Sequence, residues 1–335
     1  LAVPVNEPRR RLNTATLHHD IAQFEYLISQ GILTDVLPAI IASYRTMIER
    51  REAAGKTDWE YLGAEEAALI GQTYNRILHL RDTPRIERAL STSWEPARVE
   101  DTYLSQKAGI VVIDDFLSAE ALREIRAFCL ESTIWLANRY AHGRHGALFH
   151  AGFNCPLTLQ IAEEIRDAFP RIIGSKHTIR QMWGFKNAPV QPANSTTHAD
   201  FAAVNVNFWI TMDEANLSPD TGGLLIYDVD APQHWDFHTY NGRHDIIRPF
   251  LARQGAHAVR IPYRCNRAMI FNSDLFHTTD EVHFRPDYTN RRINVTFLYG
   301  VRKDDDRRLA KVDPLTDPGH NAWRSAAMRG LGGMR

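Results

Sequence analysis

HADFAAVNVNFW, His198 to Trp209, places a histidine and an aspartate two residues apart at the head of a run that alternates apolar and polar residues. Alternation with a period of two marks a strand whose faces differ. Side chains at i and i+2 share a face only on extended backbone. If the stretch is a strand, His198 and Asp200 project together into one space. Two other pairs share the spacing, His18 with Asp20 and His234 with Asp236. His18 and Asp20 open a helical pattern, where such positions diverge around the axis, so they suit a cap and a solvated face. His234 and Asp236 lie in APQHWDFHTYNGRHD, which reads as exposed loop between strands.

Composition limits the rest. The chain has 335 residues, 44% hydrophobic and 24% charged, as in ordinary globular proteins. Lys+Arg is 39 and Asp+Glu is 40, a net charge of −1, which predicts no general attraction to nucleic acid or to an anionic membrane. The longest apolar runs, such as Gly109 to Ile113, are too short to span a bilayer. The opening LAVPVNEPRRRLN has no apolar core of signal-peptide length. Cys129, Cys155 and Cys265 are scattered and form no CxxC, as expected of free thiols in a reducing compartment. The expected location is cytoplasmic.

Residues 1–105 read as a helical accessory region. Leu17, Ile21, Phe24, Leu27 and Ile28 fall on one helix face, and Gly31 ends it. A second helix is expected over Thr34 to Ala54, with Pro38 in its first turn, and a third over Ala64 to Leu80. Thr83-Pro84 could open a short fourth. These apolar faces are too large for a free tail. They are expected to dock on the rest of the chain or to form a homodimer contact.

Residues 106–302 change texture. GIVVIDDF is a strand, Ser118 caps a helix, and another helix covers Thr158 to Phe169. Short strands then follow to Gly300 without intervening helices, which argues for a sandwich, jelly roll or barrel. Residues 303–335 form a charged, then Gly-rich tail.

A metal site needs a third ligand. FNSDLFHTTD offers His277, just after the apolar strand Met269 to Phe271. Two histidines and one carboxylate on one face, with open positions opposite, make the facial triad of non-haem Fe(II) oxygenases. A carboxylate cosubstrate bound there needs a cation nearby. RRINVTFLYG supplies Arg291 or Arg292. Strand parity favours Arg292, which shares its face with Asn294 and Thr296. Ile293, Val295 and Phe297 take the other face, and Arg291 is expected at the outer edge, reaching solvent. The Arg292 guanidinium is expected to pair both oxygens of a carboxylate.

In this order, HAD, GGLL, FNSDLFH and RRINVTF resemble the signature of the 2-oxoglutarate/Fe(II)-dependent oxygenases, closest to the prolyl-hydroxylase-like branch. GIVVIDDFLSAEALREIRAFC resembles the strand–helix opening of those domains. The resemblance covers residues 107–301. It implies a mainly β fold, a double-stranded β-helix (jelly roll) preceded by the N-terminal helical region. It implies a dioxygenase that binds Fe(II) through His198, Asp200 and His277, uses 2-oxoglutarate and O2, and releases succinate and CO2. The family's Gly-Gly turn lies between the two ligand segments, as Gly222-Gly223 does here.

Two features depart from the pattern. The basic residue is a doubled arginine where many prolyl hydroxylases carry lysine. The tyrosine that often contacts 2-oxoglutarate is missing from RQMWGF, so Trp183 or Gln181 would substitute. A prolyl substrate therefore does not carry over. The substrate stays open among an amino acid, a protein side chain and a small metabolite.

Other residues keep two readings. Asn294 either bonds the same carboxylate as Arg292 or pairs within the sheet. Asn205 and Asn207 line a cavity or face solvent. HGRHGALFH, with His142, His145 and His150, is expected as a flexible loop over the pocket entrance. Trp235, Phe237 and Tyr240 form a lid or pack. Two rival functions remain: a cupin-like metalloenzyme that needs no Arg292, and a non-enzymatic partner-binding protein with a barrel scaffold.

Overall fold

The computed structural model of the chain describes residues 11–56, 60–106, 108–137, 143–193 and 196–302. The tail over 303–335 and His142 lie outside the described residues.

In chain order the first elements are β1 (Arg11–Leu12), α1 (Thr14–Ser29), α2 (Leu37–Ala53), β2 (Glu60–Tyr61), α3 (Ala64–Ile70) and α4 (Pro96–Ser105). Next come β3 (Ile110–Ile113), α5 (Ala119–Glu131), β4 (His145–Leu148), α6 (Pro156–Ala168), β5 (Ile179–Lys186), β6 (Val190–Gln191) and β7 (Val204–Trp209). The chain continues with β8 (Leu224–Asp230), α7 (Phe237–Gly242), α8 (His244–Arg253), β9 (Ala258–Ile261) and β10 (Ala268–Asn272). It closes with β11 (Leu275–Thr279), β12 (Val282–His283) and β13 (Ile293–Tyr299).

Six strands form one sheet in the order β3-β10-β7-β13-β5-β4, and three form another in the order β11-β8-β9. Their pairings are antiparallel. The fold is thus mainly β, with helices against it. Parity divides the six-stranded sheet as the sequence predicts. Val204, Val206, Phe208, Ile293, Val295 and Phe297 join one apolar core with Ile125 and Phe128 of α5 and Ile161 and Ile165 of α6. The opposite face carries Asn205, Asn207, Asn294 and Thr296, all buried. Burying a polar row is costly unless its members bond to one another or to a ligand.

The N-terminal helices build a core of their own from Leu17, Phe24, Leu27, Ile41, Tyr44 and Met47. Asn13 caps α1, accepting from the Thr16 amide at 2.7 Å. The helix docks on the C-terminal end of α5 through Gln23, whose Nε2 donates to Leu130 O at 3.1 Å and Ser132 O at 3.0 Å. No described helix is long and apolar enough to cross a membrane.

Several expectations need correction. The third helix stops at Ile70 rather than Leu80, because turns follow Gly71 and Asn75 takes a left-handed φ of 56°. No helix opens at Thr83-Pro84; the Thr83 hydroxyl accepts from the Leu157 amide at the start of α6, 3.3 Å away. His234 and Asp236 are exposed and outside any helix or strand, as expected, but the rest of their segment forms α7 and α8, and Asp236 caps the first by accepting from Thr239 N at 2.8 Å. HGRHGALFH is no flexible loop in its described part: His145 to Leu148 form edge strand β4, and every residue of it is buried. His18 is exposed, but Asp20 does not lie on a solvated face, since it bonds buried His19 at 2.9 Å.

Candidate metal centre

His277 sits within strand β11 of the smaller sheet, not past the end of β10. A register shift between Leu275 and His277 in the pairing with β8 breaks the regular ladder there. Bulges of this kind re-aim a side chain. His198 faces His277 across an isolated antiparallel bridge, and the two exchange backbone bonds of 3.0 and 2.8 Å. The Asp200 amide donates to Ser273 O at 3.1 Å. The HAD segment is thus pinned by its backbone to the strand that carries the third residue. Trp235 makes an edge contact and Phe250 a tilted contact with Phe276, and Tyr240 O accepts from Ala199 N. The aromatic residues of this segment therefore pack the support of the centre.

The side chains meet accordingly. One ligand-type atom from each of His198, Asp200 and His277 lies within 4.8 Å of the others. His198 Nε2 is 3.8 Å from one Asp200 oxygen, and His277 Nε2 is 3.5 Å from the other. Each histidine Nδ1 faces a carbonyl oxygen, Thr196 O at 2.5 Å for His198 and Leu275 O at 3.0 Å for His277. A carbonyl only accepts, so Nδ1 carries the proton in both rings and Nε2 presents a lone pair. Three acceptor atoms then converge with no proton among them, an arrangement that a cation resolves. Backbone carbonyls that fix the tautomer of metal-ligating histidines are the usual support. Burial, and then the neighbouring His277, push the His198 pKa down to about 3, so its ring is neutral and ready as a ligand at neutral pH. Burial alone would raise the Asp200 pKa, but the two imidazoles and Arg144 around the carboxyl act the other way and leave it below its usual range.

From Asp200 a chain of buried hydrogen bonds runs along the polar face. Asn205 Nδ2 donates to Asp200 Oδ2 at 2.7 Å, and Asn207 Nδ2 donates to Asn205 Oδ1 at 2.8 Å. Thr296 Oγ1 donates to Asn207 Oδ1 at 2.9 Å, and Asn294 Nδ2 reaches the same oxygen at 3.4 Å. Arg292 Nη1 donates to Asn294 Oδ1 at 3.0 Å. Asn205 and Asn207 therefore face inward rather than solvent.

Arg292 is 1% exposed. Its other bonds go to Asn187 Oδ1 (3.1 Å), Gly222 O (2.5 Å) and Gly223 O (3.2 Å). No described carboxylate lies within ion-pair distance of it, and burial lowers its pKa to about 9. Four of its five N–H groups are taken, so one Nη2 hydrogen remains and the expected clasp on both carboxylate oxygens is reduced to one prong. Arg291 does not reach solvent freely. Its Nε is buried, and burial depresses its pKa.

Trp183 is half-buried and packs with Leu136, Ala137, Leu148 and Ala151. It makes edge contacts with Phe185 and with Phe201 beside Asp200. Gln181 is buried on the same strand.

Sequence reading missed Arg144, Asn187 and the mechanical role of the glycine pair. Arg144 lies 4.0 Å over the Phe185 ring, and its Nη1 reaches Thr196 Oγ1 at 3.5 Å. No signal beyond its charge marked it. Both glycine carbonyls hold Arg292, and a Cβ on Gly223 would lie 1.8 Å from Ile261 O. Gly223→Ala must therefore push β8 from β9 and shift the carbonyls under Arg292. The expected loss is about 1–3 kcal/mol of stability, read from urea unfolding. An unchanged midpoint would show that the turn has slack.

No family model matches this chain, and no curated protein does. Solved structures do. A Pseudomonas putida prolyl-4-hydroxylase matches at 14% identity over 65% of this chain and 99% of its own, with a TM-score of 0.37. The 2-oxoglutarate-dependent epimerase SnoN from nogalamycin biosynthesis matches at 14% over 67% and 94%, with a TM-score of 0.45. HygX from Streptomyces hygroscopicus, with nickel and 2-oxoglutarate bound, matches at 14% over 61% and 87%, with a TM-score of 0.39. These structural neighbours are 2-oxoglutarate/Fe(II) oxygenases. Each superposition scores below 0.5, so the functional reading rests on the side chains of this chain.

Proposed function

We propose that the chain is a 2-oxoglutarate- and Fe(II)-dependent dioxygenase whose strands close as a double-stranded β-helix. His198, Asp200 and His277 hold the metal in this reading. One observation carries it: three converging acceptor atoms joined through buried polar side chains to a buried arginine that lacks a carboxylate partner. A cupin-like enzyme without 2-oxoglutarate would have no use for a buried guanidinium at that place. Burying an unmatched charge is unfavourable, and an anionic cosubstrate reverses that.

The donor set fits the metal, with two neutral imidazoles and one carboxylate on one side and open positions opposite. When bound there, Fe(II) would serve as template and redox centre for O2 and 2-oxoglutarate. The remaining work falls to the chain itself. The Thr196 and Leu275 carbonyls hold the rings, Asn205 steadies Asp200, and Arg292 with Asn294 seats the distal carboxylate of 2-oxoglutarate. Trp183 and Phe201 form an apolar wall beside Asp200 that excludes water from the cosubstrate side. The substrate is a small molecule or a protein side chain, and hydroxylation is the simplest outcome.

The test is anaerobic addition of Fe(II) and 2-oxoglutarate to the full chain. A weak visible charge-transfer band, followed by succinate and CO2 on admitting air, is the expected result. Metal uptake without any 2-oxoglutarate-dependent band would favour the cupin-like alternative.

A further inference from the structure

A second cluster of buried polar groups lies on the opposite face of the six-stranded sheet, under α1. Strand register explains it. His145 pairs with Lys186 across β4 and β5, and Lys186 pairs with Ile293 across β5 and β13. At this end of the sheet three adjacent pairs stand side by side: Arg144-His145, Lys186-Asn187 and Arg291-Arg292. Neighbours on a strand point to opposite faces. Arg144, Asn187 and Arg292 serve the candidate metal side. His145, Lys186 and Arg291 go to the helix side, where α1 adds His19 with its ring centroid 4.4 Å from that of His145.

These groups are poorly satisfied. Both ring nitrogens of His145, Nε2 of His19 and Nε of Arg291 are buried without a hydrogen-bond partner. His19, His145 and Lys186 are each 0% exposed. Lys186 Nζ donates to Tyr288 Oη at 2.6 Å and to Cys129 O at 3.3 Å, and lies over the Trp135 and Tyr288 rings at 4.4 and 4.2 Å. No described carboxylate is within ion-pair distance of Lys186 or Arg291. The acidic neighbour is Asp20, bonded to His19 Nδ1 at 2.9 Å. Burial pushes its pKa up to about 8, which favours the protonated carboxyl as donor to Nδ1. That leaves His19 with an Nε2–H donor. Unmatched donors therefore outnumber acceptors, and buried donors of this kind normally find a partner.

A metal does not suit this place. Two basic side chains stand beside the histidines, and among the described residues only His198, Asp200 and His277 bring three metal-ligating atoms together. We propose that the junction of His19, His145, Lys186 and Arg291 binds a small monovalent inorganic anion of chloride or bromide size. The imidazole N–H groups and Arg291 Nε–H donate to it, and the guanidinium supplies the matching charge; burial pushes the Lys186 pKa well down, and a bound anion favours its charged form. The anion gives α1 a partner for the buried donors it covers. It is separate from the metal centre and does not depend on the proposed oxygenase activity.

The experiment uses the full chain at constant ionic strength, comparing sodium bromide with sodium gluconate, whose anion is too large for the junction. The thermal midpoint should be roughly 3 °C higher in bromide, since a ligand that binds only the folded state raises it. His145→Phe and Arg291→Met should each abolish the difference. Crystals soaked in bromide should give an anomalous peak among His19, His145 and Arg291. Equal midpoints in the two salts would overturn the proposal, as would a crystal peak with no response in solution. So would stabilisation by Zn(II) that the His145 variant loses. If the variants fail to fold, the wild-type comparison and the anomalous map still decide.

Discussion

His198→Ala, Asp200→Ala and His277→Ala should each weaken Fe(II) binding by at least about 100-fold, because loss of a supporting partner alone typically costs 10–100-fold. His18→Ala and His234→Ala should leave it unchanged. The contrast follows from where each pair lies. His18 sits on the exposed side of α1, and the Asp236 that follows His234 is occupied as a helix cap. His198 and His277 exchange backbone bonds, and their Nε2 atoms face the two oxygens of Asp200. Equilibrium dialysis of Fe(II), or of Co(II) as a spectroscopic substitute, measures the effect. Retention of metal by the His198 variant together with its loss from the His234 variant would reverse the ligand assignment. Unfolding curves for each variant separate a lost ligand from a lost fold.

Arg292→Met should raise the 2-oxoglutarate concentration needed for half-maximal succinate release at least about 10-fold. One charge-assisted hydrogen bond of about 1.5–3 kcal/mol corresponds to that factor or more. Metal affinity changes little, because the triad is untouched. Arg291→Ala has a much smaller effect, since its side chain leaves the sheet on the helix side. Methionine is preferred to alanine as the test because it fills much of the buried volume. The substitution still strands the Gly222 and Gly223 carbonyls, so some stability is lost as well. Titrating 2-oxoglutarate against the metal-loaded protein, with the unfolding midpoint measured in parallel, keeps the two effects apart. If Arg291→Ala were the crippled variant, the anchor would lie one residue earlier and the carboxylate would enter from the helix side.

Much of this was legible in the linear chain because it depends on local periodicity. Strand alternation alone separated Arg292, Asn294 and Thr296 from Ile293, Val295 and Phe297, and the sheet obeys it. The same rule, applied to three pairs of identical spacing, favoured His198 and Asp200, and those side chains meet His277. A period of two or of 3.6 is a property of neighbouring residues, so it survives without knowledge of the fold. What failed was equally physical. The helix predicted to reach Leu80 ended at Ile70, and a stretch read as strands and loops without helices formed α7 and α8. The first ended at a local break, where turns follow Gly71 and Asn75 takes a left-handed φ.

Only tertiary structure decided the rest, because it concerns partners far apart in the chain. Asn187 and the glycine carbonyls hold an arginine that follows them by 105, 70 and 69 residues. Arg144 and His145 are adjacent in sequence, yet one serves the candidate metal cavity and the other the buried junction under α1. Arg291, expected in solvent, is half-buried because α1 and Tyr288 cover that edge of the sheet. The residue types and their alternation therefore set which faces are polar. Which polar groups touch, and which are left buried without a partner, depends on strand order and on where α1 comes to rest, and no local pattern encodes either.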